Sequence, residues 1–111
     1  MTDFSREGII KDMQAAADRM GLDLEDLQEM IVEVIDDCLT KAKAIVDAID
    51  KSDADNVKKI AHDIKGSSAN YGLLAASETA KQIEHGAKDL PKDLALLLVS
   101  QLEAISKIAL I

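Results

Sequence analysis

Between Leu27 and Ile49 one pattern runs without a break: Leu27, Ile31, Val34, Cys38, Ala42, Ile45 and Ile49 follow one another at steps of three or four. Such steps return a side chain to the same side of an α-helix, whereas a half-buried strand would alternate at every second position. The stripe predicts a helix from about Leu24 to Lys51. An apolar stripe of that length needs apolar partners along all of it, and a helix bundle supplies them.

The rest of the chain provides the partners. A first helix is predicted from about Ser5 to Met20, with Ile9, Met13, Ala16, Ala17 and Met20 on one face and Gly21 as its stop. Asp23 is placed to accept hydrogen bonds from the first free amides of the long helix, with Asp26 in its first turn. The polar stretch Ser52 to Asn56 offers capping side chains, and a third helix runs from there to Tyr71. Gly72 suits the left-handed residue that often follows a helix end. A fourth helix, about Leu73 to Lys88, presents Leu73, Ser77, Ala80, Ile83, Glu84 and Ala87 along one side. Pro91 fits the first turn of a fifth, where a missing amide costs nothing, and Leu94, Leu98, Leu102, Ile105 and Ile108 form its stripe. Short connections make neighbouring helices antiparallel. The expected fold is therefore all-α: an antiparallel up-down four-helix bundle with an additional N-terminal helix over one end or side, residues 1–111 forming one domain.

Length and charge exclude several functions. With 111 residues the chain buries one modest core and has no room for a separate nucleotide-binding fold. A formal net charge of −8 is repelled by a phosphate backbone and by anionic lipid, so neither nucleic acid nor membrane is expected as a partner. The longest apolar run, Leu94 to Val99, falls far short of the roughly 18 residues of a membrane span. The opening Met-Thr-Asp-Phe-Ser-Arg-Glu has no basic stretch leading into an apolar one, so no secretory signal is read. A lone Cys38 makes no internal disulfide and fits a reducing cytoplasm. The initiator Met and compact ending fit a free-standing protein, although an excised domain would look the same.

The third helix is where local rules are broken. Val57, Ile60, Ala61, Ile64, Ser68 and Tyr71 gather on its core side, so His62 points roughly opposite, into solvent. Its neighbours on that face are Lys58, Lys65, Gly66 and Ala69, with Lys59 close by. Gly66 inside a helix costs about 1 kcal/mol relative to Ala, and Ser67 and Ser68 are indifferent helix formers. Departures of this kind concentrate at functional sites. An imidazole between two ammonium groups is kept neutral and nucleophilic near neutral pH, and those lysines would then neutralise an arriving phosphoryl group. A glycine one turn away removes the side chain that would shield the ring. No Gly-rich phosphate loop is present, and no Ser or Cys stands beside the histidine in a triad pattern, so the ring can receive and pass on a group but nothing binds ATP to charge it.

The run Ala61-His62-Asp63-Ile64-Lys65-Gly66-Ser67-Ser68-Ala69-Asn70-Tyr71-Gly72 resembles the phosphorylation motif of histidine-containing phosphotransfer (HPt) domains. In that family the His is followed by Lys-Gly three and four residues on, then small residues, then a Gly. Ile83-Glu84 resembles the apolar-acidic pair common in the following helix. The resemblance implies a phosphocarrier, not an enzyme: His62 takes a phosphoryl group from a receiver-domain aspartyl phosphate and hands it to another receiver aspartate. Lys65 would assist by charge, Gly66 by access, and Ser67, Ser68 and Gly72 by supporting the motif's shape. Lys58 and Ala69 rest on spacing alone. Expected partners are response-regulator receivers and a hybrid sensor histidine kinase. No cofactor is expected on this chain, since the Mg²⁺ belongs to the receiver. Many relatives orient the ring through a polar side chain on a neighbouring helix, which the sequence does not identify. A single carrier histidine needs no second subunit, so a monomer is expected.

Plainer readings stand beside these. Lys58 alone reads as an ordinary surface charge, and Ser67 and Ser68 as packing residues. His85, beside Gly86, reads as exposed and ordinary because Glu84 alone supplies no metal site. Cys38 reads as a small buried apolar residue, Asp36-Asp37 as a solvated face, and Met13, Met20 and Met30 as core or core-edge filler. His-Asp-Ile-Lys also resembles the phosphoacceptor box of dimeric sensor kinases, but Gly66-Ser67 stand where that box carries a polar residue and Pro. The rivals are a non-catalytic helical interaction module and the phosphoacceptor domain of a larger chemotaxis-type or hybrid kinase.

Overall fold

The computed structural model describes residues 6–109, with side chains over residues 7–107. Five helices follow one another: α1 (Arg6–Met20), α2 (Leu24–Asp50), α3 (Ala54–Asn70), α4 (Leu74–His85) and α5 (Lys92–Ala109). A single 3₁₀ turn, Ala87–Asp89, separates the last two. Helices α2 to α5 pack as a ring in which α3 touches α2 and α4, and α5 closes against the same two. Helix α1 lies against α2 and α5. Its predicted start at Ser5 falls outside the described residues. The longest dimension, 42 Å, is the length of α2, about 40 Å at 1.5 Å per residue. The long helix is the spine against which the others shorten.

The core is one aliphatic cluster fed by every helix, with Met13, Leu27, Ile31, Ile45, Ile64, Leu98 and Leu102 entirely buried or nearly so. Several expectations shift by one position. On α2 the buried residue is Ile35, while Val34 is only partly covered. Counted from Ile31, position 35 lies about 40° off the stripe axis and position 34 about 60° off, on the other side. Ala95 takes the buried place on α5 next to a partly covered Leu94, and Ala76 and Thr79 join the buried side of α4. Ile108 lies outside the residues whose side chains are described. Met30, expected at the core or its edge, is 43% exposed because it stands one residue, about 100°, away from Ile31.

Helix ends follow local chemistry, with two corrections. The Asp53 carboxylate caps α3 by accepting from the Asn56 amide at 3.3 Å. Asp23 precedes α2 but makes no side-chain cap. Its carboxyl group raises that of Asp26 above its ordinary pKa, by hydrogen bonding to the protonated form and by charge repulsion of the ionised one. Helix α4 ends at His85 rather than near Lys88; Gly86 follows, and the chain tightens into the 3₁₀ turn before Pro91. Gly72 leaves α3 with φ +80, and a Cβ there would collide with the backbone carbonyl of Asp12 on α1. That glycine is required twice, by the left-handed turn and by the close approach of α1. No helix among the described residues is long and apolar enough to cross a membrane.

Candidate functional site

Val57, Ala61, Ile64 and Ser68 bury one side of α3. His62, one residue past Ala61, is carried out of the core, and 63% of its side chain is exposed. Helix α4 runs antiparallel beside it. Ile83 is fully buried and fixes the rotation of α4, so Glu84 lands at the α3 boundary with only 12% of its side chain exposed. One of its oxygens, Oε2, lies 2.8 Å from His62 Nδ1; the other, Oε1, accepts from Lys65 Nζ at 2.6 Å. Ser77 Oγ donates to the Lys65 carbonyl at 3.0 Å, tying the same two helices together further along.

The carboxylate decides which ring nitrogen is free. Glu84 is held below the usual carboxylate range, first by the hydrogen bond from Lys65 and then by that from His62, with burial opposing. An ionised carboxylate only accepts hydrogen bonds. His62 Nδ1 therefore donates to it, and in the neutral ring the lone pair falls on Nε2. The sequence suggested an imidazole flanked by bare ammonium groups. What it has instead is a carboxylate as its nearest charge, with Lys65 tied to the other oxygen of that carboxylate.

Around this centre the remaining motif residues take distinct places. Gly66 is exposed, and a Cβ on it would meet nothing within 4 Å. Ser67 is partly covered, whereas Ser68 is fully buried with its Oγ 4.0 Å from Cys38 Sγ. A small residue is what the contact between α2 and α3 accommodates there. Burial pushes the Cys38 thiol above its ordinary pKa, with Ser68 opposing. Ala69 is partly covered and its carbonyl accepts from Arg19 of α1 at 3.5 Å, which places it at the α1 contact rather than open beside the ring. Gly72 is the α1 crossing described above.

Two shallow depressions flank the ring. Lys58, Lys65, Glu84 and His85 line one; Asp55, Lys58, Lys59, His62, Asp63 and Glu84 line the other. His85 is exposed at the end of α4. Asp36 and Asp37 are exposed, and Asp37 pairs with Lys41 at 3.0 Å. Among the described residues no three His, Cys, Asp or Glu side chains are grouped so as to hold a metal ion.

Glu84 is the residue that sequence reasoning did not assign. A signal existed, since it is the one carboxylate on the otherwise small and apolar stripe of α4. Linking it to His62 requires the register between α3 and α4, which no single-helix pattern contains. Residues 24–108 match the family model for the Hpt domain, from the first residue of α2 to the last turn of α5. No curated protein and no solved structure matches the chain significantly.

Proposed function

Because the chain belongs to the Hpt domain family, the histidine phosphotransfer modules of two-component signalling that work with receiver domains, we propose that His62 is its phosphoacceptor and that it relays the group between two receivers. The ring takes a phosphoryl group from an aspartyl phosphate on one receiver and gives it to the aspartate of another. A hybrid sensor kinase is the expected source upstream. The observation that carries this reading is an exposed imidazole whose Nδ1 is engaged by Glu84 at 2.8 Å, one turn before a lysine and an unshielding glycine.

The step balances without external reagents. His62 Nε2 attacks the phosphorus, the N–P bond forms, and the P–O bond to the receiver aspartate breaks, releasing a carboxylate. The ring becomes an imidazolium bearing the phosphoryl group. Its Nδ1 proton stays on the bond to Glu84, whose negative charge stabilises the new positive charge on the ring. Transfer onward reverses each bond change. The divalent ion that neutralises the aspartyl phosphate sits on the receiver, and no ATP site is needed on this chain.

Glu84 is then a positioning residue. It fixes ring rotation and tautomer, so the nucleophile meets the phosphorus without a prior proton shift. Incubation with a phosphorylated receiver and Mg²⁺ tests the reading: the chain should acquire acid-labile, base-stable label, and His62→Gln should acquire none. Glu84→Gln should retain labelling at a rate reduced about tenfold, the loss expected from one charge-assisted hydrogen bond. Label persisting in His62→Gln would overturn the assignment.

A further inference from the structure

Resting on the reading of His62 as phosphoacceptor, we infer that Lys58 is the cation that stabilises the phosphoryl group once it is on the ring. The positive charges around the ring are not equally available. Lys65 lies 2.6 Å from Glu84, and Glu84 also holds the ring. Turning Lys65 fully toward a phosphoryl group would strip a nearly covered carboxylate of its ammonium partner. A phosphoryl group brings about 1.5–2 negative charges, so the site needs a cation that is not already neutralised.

Lys58 meets that description. It makes no ion pair among the described residues. Four residues before His62 on the same helix, its Cβ stands about 5–6 Å from that of the histidine, within easy reach of a lysine stem. It lines both depressions beside the ring, a position shared only with Glu84. Lys59 is the competing candidate. Like Lys58 it makes no ion pair among the described residues, but it lines one depression only and has two carboxylates at helical spacing, Asp55 four residues before and Asp63 four after, whereas Lys58 has Asp55 alone, three residues before.

The consequence is a phosphohistidine that lives longer because of Lys58. In a loose transition state negative charge leaves the phosphoryl oxygens for the departing ring, so a cation beside those oxygens favours the intact phosphoramidate over its breakdown. The same cation favours the dianionic form of the group over its monoprotonated form.

The test loads the ring without any receiver. The full chain carrying His85→Gln, which leaves His62 as the one imidazole, is phosphorylated with potassium phosphoramidate. The half-life of the label and the pH titration of its ³¹P resonance are then compared across variants. Lys58→Gln should shorten the half-life about two- to fivefold, the range of an exposed charge pair, and move the ³¹P titration to higher pH. Lys58→Arg should restore both, Lys59→Gln should leave both unchanged, and about 0.5 M salt should erase the difference. Equal half-lives and equal titrations for Lys58→Gln and its parent would overturn the inference, as would an effect confined to Lys59→Gln. Either result would leave the receiver reading standing, because that reading falls only if a phosphorylated receiver fails to label His62.

Discussion

Replacing Gly66 by Ala should make the isolated protein more stable and a poorer phosphate carrier. In the helix interior a glycine costs about 0.8–1 kcal/mol relative to alanine, because it loses more backbone freedom on folding. That gain is realised only if the new methyl meets no obstacle, and a Cβ at Gly66 has nothing within 4 Å. The position is exposed and regular helix, so no strain is added. The full increment, about 1 kcal/mol, should appear as a rise of about 4–6 °C in Tm for a chain of this size. Urea unfolding should show a higher midpoint at unchanged slope. Gly66→Leu should fold at least as well as wild type while placing a branched side chain one turn from His62 Nε2. Transfer from a phosphorylated receiver should then slow in the order Gly, Ala, Leu, with loading by phosphoramidate much less affected. A lower Tm for Gly66→Ala would show that the glycine serves the fold itself. Unchanged receiver kinetics for Gly66→Leu would refute the argument that it keeps the approach open.

Gly72→Ala should behave in the opposite way, losing about 2–4 kcal/mol through a left-handed backbone combined with overlap on Asp12; urea midpoints of the two alanine variants, moving in opposite directions, check this. Lys65→Ala should leave the fold intact and slow transfer about tenfold, because Glu84 loses one of its two charge-assisted bonds and holds the ring less firmly; quench-flow labelling measures it. Glu84 also makes stability depend on pH. A carboxyl whose pKa is depressed on folding contributes stability that is present above its ordinary value of 4.5 and lost as pH falls through the lower folded value. The stability difference between wild type and Glu84→Gln should therefore be fully developed at about pH 7 and shrink steadily below pH 4.5, and urea titrations at several pH values would show a constant difference if the carboxylate were not paired.

What the sequence made legible was most of what depends on one helix at a time. The stripes of α2 and α5, the caps near Asp53 and Gly72, and the outward direction of His62 all follow from a 3.6-residue period read over a dozen positions. Errors appeared at stripe edges, where one residue changes the angle by about 100° and two candidates straddle the axis, as Val34 and Ile35 do. Capping was misread at Asp23, which has the right residue type in the right place but makes no side-chain bond to the helix. Nothing local to α3 or α4 specified that His62 and Glu84 would meet. That contact depends on how far α4 slides along α3 and how it rotates, which the buried volumes of Ile64, Ala80 and Ile83 set together.

The same dependence governs how an exposed ring is kept in order. An imidazole with 63% of its side chain in water would ordinarily rotate freely and sample both tautomers. Here its orientation is delegated to a carboxylate that is itself nearly covered and anchored by the residue before it in the core. Cost and benefit fall on different helices: α3 exposes the imidazole and forgoes side chains around it, while α4 supplies the order. A disturbance of the core under Glu84, such as Ile83→Ala, should consequently reach His62 without touching it. That variant creates a cavity worth about 2–4 kcal/mol, and the freed α4 should let the ring lose its fixed tautomer before the bundle unfolds. Nitrogen-15 shifts of the imidazole, read under native conditions, would show averaging between the two nitrogens in that variant and none in wild type; a fixed Nδ1 proton in both would mean that Glu84 is held by something other than the packing of Ile83.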